Sequence, residues 1–177
     1  MTQISPYGTS KSSITPEIMT REHIRIFEPW YDQSNLYWIE MRPEQDGKNF
    51  LVRRSEDGVI KDMTSSSFNV RTRVHEYGGH AYTVYNHTIF FTNFIDQQIY
   101  RIDSNQQPVP ITDQPYCRYA DYEIDSLRNR LICVGEDHHP RLKEVKNYLV
   151  SIDMDGNDDP RILHNTHDFY SNPQLSP

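Results

Sequence analysis

Two histidines and a glutamate lie close together in the segment HEYGGH, at His75, Glu76 and His80. These residue types bind Zn²⁺, but the zinc-protease motif places its histidines four positions apart on one face of a helix. Here the histidines are five positions apart, and Gly78 and Gly79 between them disfavour a helix. On a strand, positions five apart point to opposite faces. The spacing excludes a zinc site of that kind, and we predict that the chain holds neither a metal nor a cofactor.

Covalent catalysis has no visible signature in the sequence. The nucleophile elbow G-x-S-x-G of serine hydrolases is absent, and GTSK at 8–11 lacks its second glycine. The segment EDHHP at 136–140 has adjacent imidazoles but is typical of a solvated loop. The acidic segment DMDGNDD at 153–159 lacks the closing glutamate of an EF-hand and is predicted to be a hairpin turn. We therefore predict no catalytic residue, and the chain alone is not expected to be an enzyme.

The composition narrows the class of protein. Hydrophobic residues make up 36% of the 177 residues, and the twelve tyrosines suit half-buried β surfaces. A net charge of -7 disfavours sequence-independent binding of nucleic acid. No apolar run reaches the roughly 18 residues that span a membrane, and the first residues lack a signal-peptide pattern. With only Cys117 and Cys133 as cysteines, the sequence predicts a cytoplasmic protein that partners neither nucleic acid nor a membrane.

A four-strand pattern occurs three times along the chain. The leading strands are IRIFEPW, HAYTVYN and YADYEID, and the apolar strands that follow are LYWIEM, TIFFTN and RLICVG. Alternating strands then begin at even spacing, at Phe50, Ile99 and Tyr148, and the units close with VIKDMT, VPIT and RILHN. A period of about 40 to 50 residues with antiparallel strands is typical of β-propeller blades.

The predicted fold class is therefore all-β, an incomplete β-propeller of about three four-stranded antiparallel blades. The predicted organisation is an N-terminal extension at 1–23 and a partial propeller domain at 24–177, with blades at about 24–64, 74–112 and 118–165. The last segment, DFYSNPQLSP at 168–177, resembles the opening strand of a fourth unit. Three blades cannot close a ring, and an open ring leaves strand edges in water. We expect a fragment of a longer protein, and the alternative is a small domain of three β-sheet units.

The repeat also indicates where the segment at 71–82, RTRVHEYGGHAY, lies in the fold. It leads into the first strand of the second unit, and in a propeller the first strand of each blade lines the central channel. Arg71, Arg73 and His75 alternate, which places them on one side of an extended segment. The paired glycines allow a turn or a close approach to another strand. One interpretation is an ion pair between an arginine and Glu76 that braces neighbouring blades. The other is a channel lining that contacts a peptide or small ligand through Arg71, Arg73, His75, Glu76 and Tyr77.

Three segments resemble a known family. SPYGTSKSSITPEIM, NVRTRVHEYGGHAY and LRNRLICVGEDH are similar to the N-terminal propeller of bacterial prolyl oligopeptidase-family serine peptidases. The branch is the one of acylaminoacyl-peptidases and dipeptidyl-aminopeptidase-like enzymes. The resemblance extends over essentially the whole chain, and RTRVHEYGG is its most specific part. Two positions depart from the pattern: Ser10 replaces a common tryptophan, and His80 replaces a glycine or another small residue. Both departures are expected to change local packing.

The resemblance implies a seven-bladed propeller followed by an α/β-hydrolase domain with a Ser, Asp and His triad, so that the parent protein is a serine peptidase. None of those catalytic positions lies in this chain. The implied partners are a peptide substrate, which the propeller admits when it is short, and the chain's own C-terminal hydrolase domain. Two other kinds of protein stay open at this point: a non-catalytic propeller scaffold that binds partner proteins, and a propeller enzyme with a metal or quinone in its channel.

Overall fold

The computed structural model describes residues 6–9, 15, 23–104 and 106–176. Most of the predicted N-terminal extension, 1–23, lies outside the described residues, as does Ser10. The described chain consists of β-strands and two short 3-10 helices, at Pro43–Gln45 and Ser126–Arg128. No helix in this part of the chain has the length and apolar character needed to cross a membrane.

The strands form three four-stranded antiparallel sheets, and within each sheet the strands lie side by side in chain order. The first sheet contains β1 (Arg25–Asp32), β2 (Asn35–Arg42), β3 (Lys48–Arg54) and β4 (Ile60–Asp62). The second contains β5 (Tyr82–Tyr85), β6 (Thr88–Thr92), β7 (Ile99–Ile102) and β8 (Val109–Pro110). The third contains β9 (Cys117–Asp125), β10 (Arg130–Asp137), β11 (Lys146–Asp153) and β12 (Arg161–His164). The predicted all-β fold of three four-stranded antiparallel units is confirmed.

The middle sheet is covered on both faces. Ile89 and Phe91 of β6 pack toward the first sheet, in a cluster with Tyr37 and Leu51. Phe90 points the opposite way and packs with residues of the third sheet. Phe90 and Phe91 are both 0% exposed. Since neighbouring residues of a strand face opposite sides, the continuous apolar run of β6 requires a sheet on each side of it.

The leading strands lie next to one another, because β5 contacts both β1 and β9. Both outer members of this set contain a bulge in which two residues oppose one on the neighbouring strand. Glu28 in β1 and Asp121 in β9 occupy these bulges in the left-handed conformation, with φ of 52° and 58°. The bulges allow these two side chains to leave the regular alternation of their strands.

The predicted opening strand at 168–177 forms no strand among its described residues, 168–176. A strand is defined by pairing, and no strand of the described chain pairs with this segment. Its backbone nevertheless repeats a feature of the leading strands. Asn172 has φ of 45° and precedes Pro173, just as Glu28 precedes Pro29. That the segment opens a fourth unit stays a prediction.

Candidate functional site

The backbone of the segment that connects β4 to β5 is held by two sheets. Val70 forms an isolated antiparallel bridge with Asn93. The Arg71 N–H donates to Thr92 O at 3.1 Å, and the Phe94 N–H donates to Asn69 O at 2.8 Å. From the first sheet, Asn49 Nδ2 donates to Val70 O at 3.1 Å. Residues 69–71 are therefore fixed between β3 and the end of β6, and the residues that follow start from a rigid base.

Arg71 and Arg73 lie on the same side of this segment, as their spacing predicts. Their guanidinium carbons lie 5.1 Å and 4.3 Å from the centroid of the Phe94 ring, within the range of a cation–π contact. Thr72 and Val74, between and after them, are buried on the other side. We call Arg71, Arg73 and Phe94 the arginine stack.

The alternation does not extend to His75, and this part of the prediction is wrong. The chain turns at 74–77, where His75 and Glu76 have φ of 56° and 65° and Gly78 N–H donates to Val74 O at 2.8 Å. The turn sends the His75 ring inward, away from the arginines. Its Nε2 lies 3.0 Å from the carbonyl oxygen of Tyr170. His75 thereby connects this turn to the segment after β12.

The turn donates a backbone hydrogen bond to a buried carboxylate, that of Glu136. Glu136 of β10 is 3% exposed, and its Oε1 accepts the His75 N–H at 2.7 Å. The other oxygen, Oε2, lies 2.9 Å from His138 Nε2 and 3.9 Å from Arg118 Nη1. The prediction of a solvated loop at 136–140 is therefore wrong at its first two residues, because Glu136 and Asp137 belong to β10 and Glu136 faces the interior.

Glu76 does form an ion pair, although neither Arg71 nor Arg73 is its partner. Arg118 of β9 donates to Glu76 Oε1 at 2.7 Å and to the backbone oxygen of Arg73 at 2.9 Å. This hydrogen bond, with the positive charge of Arg118, lowers the pKa of the exposed Glu76 carboxyl. The pair joins the turn to the third sheet, which gives the bracing interpretation a specific contact. Tyr77 is 80% exposed beside it.

The paired glycines have one role each. Gly78 turns the chain with φ of 92°. At Gly79 the backbone approaches β9 so closely that a Cβ would lie 2.6 Å from Asp121 Oδ1 and 3.1 Å from Ala120 Cβ. Both roles predicted from the sequence, a turn and a close approach, are found.

The two bulge carboxylates connect neighbouring leading strands. Glu28 Oε2 accepts the Ala81 N–H at 3.0 Å and lies 3.8 Å from His80 Nδ1. Asp121 accepts the His80 N–H at 2.8 Å through Oδ1 and the Asn172 N–H at 3.1 Å through Oδ2. Sequence analysis missed both acids; the available signal was an acidic residue inside an otherwise apolar leading strand. Among the described residues, no three histidine, cysteine or acidic side chains cluster as a metal site would require.

Two open cavities flank the arginine stack. One, of about 300 Å³, lies between β1 and the connecting segment, and Glu28, Arg71 and Tyr77 are among its lining residues. The other, of about 1070 Å³, lies between the second and third sheets, and Arg73, Arg118 and His138 contribute to it. The structure therefore brings Arg71 and Arg73 together at the two cavities, whereas His75 turns inward toward Glu136.

The stability contribution of Glu28 is expected to depend on pH. Burial raises its pKa, more than the Ala81 N–H and His80 lower it. A carboxyl whose pKa is raised by folding stabilises the protein fully below its unfolded-state pKa and loses that contribution as pH rises through the folded-state pKa. Glu28→Gln keeps an acceptor oxygen without the charge, so its stability relative to wild type should rise between pH 4 and 7. Urea unfolding of both proteins at the two pH values measures this, and a constant difference would contradict it.

Comparison with known proteins gives a consistent result for the fold. No protein-family model and no curated protein matches the sequence. Among solved structures, a puromycin-hydrolyzing peptidase of Mycobacterium tuberculosis matches 98% of this chain with 30% sequence identity and a TM-score of 0.85. A puromycin hydrolase matches 95% of the chain with 25% identity and a TM-score of 0.78. The acylaminoacyl peptidase of Pyrococcus horikoshii matches 84% at 15% identity and a TM-score of 0.57, which supports the fold alone.

This chain spans 29%, 28% and 25% of the lengths of those three proteins. The match extends over nearly the whole chain and over the N-terminal part of peptidases of the prolyl oligopeptidase family. The resemblance inferred from RTRVHEYGG and its companion segments is thus confirmed. Contact of Arg71, Arg73, His75, Glu76 or Tyr77 with a substrate stays a prediction.

Proposed function

We propose that this chain is the N-terminal propeller part of a serine peptidase, in which it controls the access of short peptides to a C-terminal α/β-hydrolase domain. The observation that carries the proposal is the match to the puromycin-hydrolyzing peptidase, which includes 98% of this chain and 29% of that one. The remaining length of such a relative has room for further blades and a hydrolase domain. The parent protein, not this chain, would supply the nucleophile.

The arrangement of the leading strands supports control of access. β1, β5 and β9 lie side by side, as strands around a central channel do. Glu28 accepts the Ala81 N–H and Asp121 accepts the His80 N–H, so hydrogen bonds join each outer leading strand to the segment that enters β5. A ring completed by further blades would leave a channel walled by tightly connected strands. Short or unfolded peptides fit through such a channel and folded proteins do not.

Hydrolysis assays on the full-length protein test this proposal. We expect the full-length protein to cleave short peptides, to leave a folded protein of the same composition intact, and to lose activity with a serine-directed inhibitor. The 177-residue chain alone should cleave neither, because it lacks the G-x-S-x-G elbow.

Two outcomes would contradict the proposal: peptide cleavage by the chain alone, or a full-length protein that is inert toward every short peptide. The second would favour the non-catalytic scaffold, and pull-down of a partner protein by the propeller would then be the relevant measurement. Equal cleavage of folded and unfolded substrates would support the peptidase activity but contradict the control of access by the propeller.

A cytoplasmic location belongs to the same proposal. Both cysteines, Cys117 and Cys133, are free, and burial raises the pKa of each thiol. Free thiols suit a reducing compartment, where disulfides are rare. Fractionation of cells that express the full-length protein tests the location.

A further inference from the structure

We propose that the arginine stack, Arg71 and Arg73 on Phe94, binds a carboxylate of the peptide substrate. This inference rests on the proposed function and adds to it a class of substrate, short peptides that carry a free carboxylate near the channel mouth. Four features of the stack support it: its unpaired charge, its rigidity, its position between two cavities and its fit to a planar anion.

The charge of the stack is not neutralised by an ion pair. Within the described residues, no carboxylate oxygen lies within ion-pair distance of the Arg71 or Arg73 guanidinium. The carboxylates of Glu76 and Glu136, in and beside the same turn, face Arg118 instead. Two unpaired guanidinium groups beside one another in a chain of net charge -7 form a local positive site.

The stack is also held in place before any ligand arrives. Phe94 contacts both guanidinium groups, at 5.1 Å and 4.3 Å, which restricts two side chains that are otherwise flexible. The backbones of Arg71 and Phe94 belong to the short ladder that pairs 69–71 with 92–94. A preorganised site loses less conformational entropy on binding, so its charge is more effective.

The position of the stack connects it to ligand-sized spaces. Arg71 lines the cavity of about 300 Å³ and Arg73 the cavity of about 1070 Å³. Both arginines are exposed, so an anionic group entering either space reaches a guanidinium without displacing the fold. Guanidinium groups bind carboxylates through two parallel hydrogen bonds, a geometry that a lysine cannot provide.

The experiment compares tri-alanine with its C-terminal amide on the full-length protein. Wild type should show a KM about tenfold lower for the free acid than for the amide, a difference typical of one charged hydrogen-bonded contact. The double variant Arg71→Gln/Arg73→Gln should lose that preference, so that its KM for the free acid is about equal to its KM for the amide. Phe94→Leu keeps both charges but releases the stack, so it should lose part of the preference.

Matched controls separate this effect from general charge. Arg54→Gln removes one positive charge from the far end of β3 and should keep the full preference. The amide of Ala-Glu-Ala tests an acidic side chain as the source of the carboxylate, and inhibition by inorganic phosphate tests a general anion site. Should the double variant fold poorly by circular dichroism, Arg73→Gln alone replaces it.

The outcomes for the inference and for the proposed function are distinguishable. If wild type prefers neither the free acid nor the acidic peptide, or if the double variant keeps the preference, the inference is wrong although peptide hydrolysis stands. If phosphate competes but neither carboxylate peptide is preferred, the site is a general anion site and the inference is again wrong. If the full-length protein hydrolyses no peptide, the proposed function fails, and the same ratios measured as Kd by calorimetry decide the inference.

Discussion

Replacing Glu136 with alanine is expected to lower the free energy of unfolding by about 3 kcal/mol. Its carboxylate is 3% exposed and accepts the His75 N–H at 2.7 Å. Without it, that N–H loses its acceptor in the interior, and His138 and Arg118 lose the negative charge they face. Breaking a buried charged network from one side leaves the other members unpaired, which is why the loss exceeds that of an ordinary hydrogen bond.

Urea unfolding of the chain measures this loss, with two matched variants. Glu136→Gln keeps an oxygen that can accept the His75 N–H, so it should cost clearly less than alanine. Glu76→Ala removes the other carboxylate that contacts Arg118, but that carboxylate is exposed, so its loss should change stability little. Equal effects at Glu136 and Glu76 would show that Glu136 does not organise the turn.

The Glu76 variant also separates the two interpretations of the motif. In the full-length protein, a small loss of stability with unchanged peptide-hydrolysis kinetics per folded molecule would support bracing through Arg118. A raised KM with unchanged stability would support a substrate contact instead. The present geometry favours bracing for Glu76 and His75, and it leaves Arg71, Arg73 and the exposed Tyr77 free to contact a ligand.

The three sheets could be predicted from the sequence because the patterns that indicate strands and turns are local. Alternation, turn residues and even spacing place β3, β7 and β11 close to where they are found, and short apolar runs do the same for β2, β6 and β10. The Asp153–Asp159 turn follows from its own residues. The apolar run at β6 agrees with the burial of that strand on both faces. Such features depend on neighbours a few positions apart, which a sequence displays directly.

The contacts of the candidate site could not be predicted in the same way, because they join residues that are far apart in the sequence. His75 and Glu136 are 61 residues apart, and no local pattern connects them. The left-handed φ of His75 and Glu76 ended an alternation that the residue types alone suggested. Glu28 and Asp121 acquire their roles through bulges, which place Glu28 beside Ala81 and Asp121 beside His80 and Asn172. Sequence analysis therefore located the motif correctly but assigned His75 the wrong side of it.

Gly79→Ala is expected to lower the free energy of unfolding by about 3 kcal/mol, at the upper end for an overpacked buried site. The added Cβ would lie 2.6 Å from Asp121 Oδ1 and 3.1 Å from Ala120 Cβ. Asp121 cannot simply move aside, because it accepts the His80 N–H and the Asn172 N–H. Relief of the clash must therefore weaken the hydrogen bonds that join β9 to both flanking segments.

A double-mutant cycle with Asp121→Ala tests that explanation. If the clash with the carboxylate dominates, Gly79→Ala should cost much less in the Asp121→Ala background than in wild type. Gly78→Ala is the comparison for backbone strain with milder crowding, since Gly78 has φ of 92° and its added Cβ would lie 3.3 Å from Thr72 O. A Gly79→Ala variant as stable as wild type would contradict this, because it would mean that β9 shifts to accommodate the added methyl group without loss of stability. The expected loss of stability would instead show that position 79 requires glycine because the backbone there packs directly against β9.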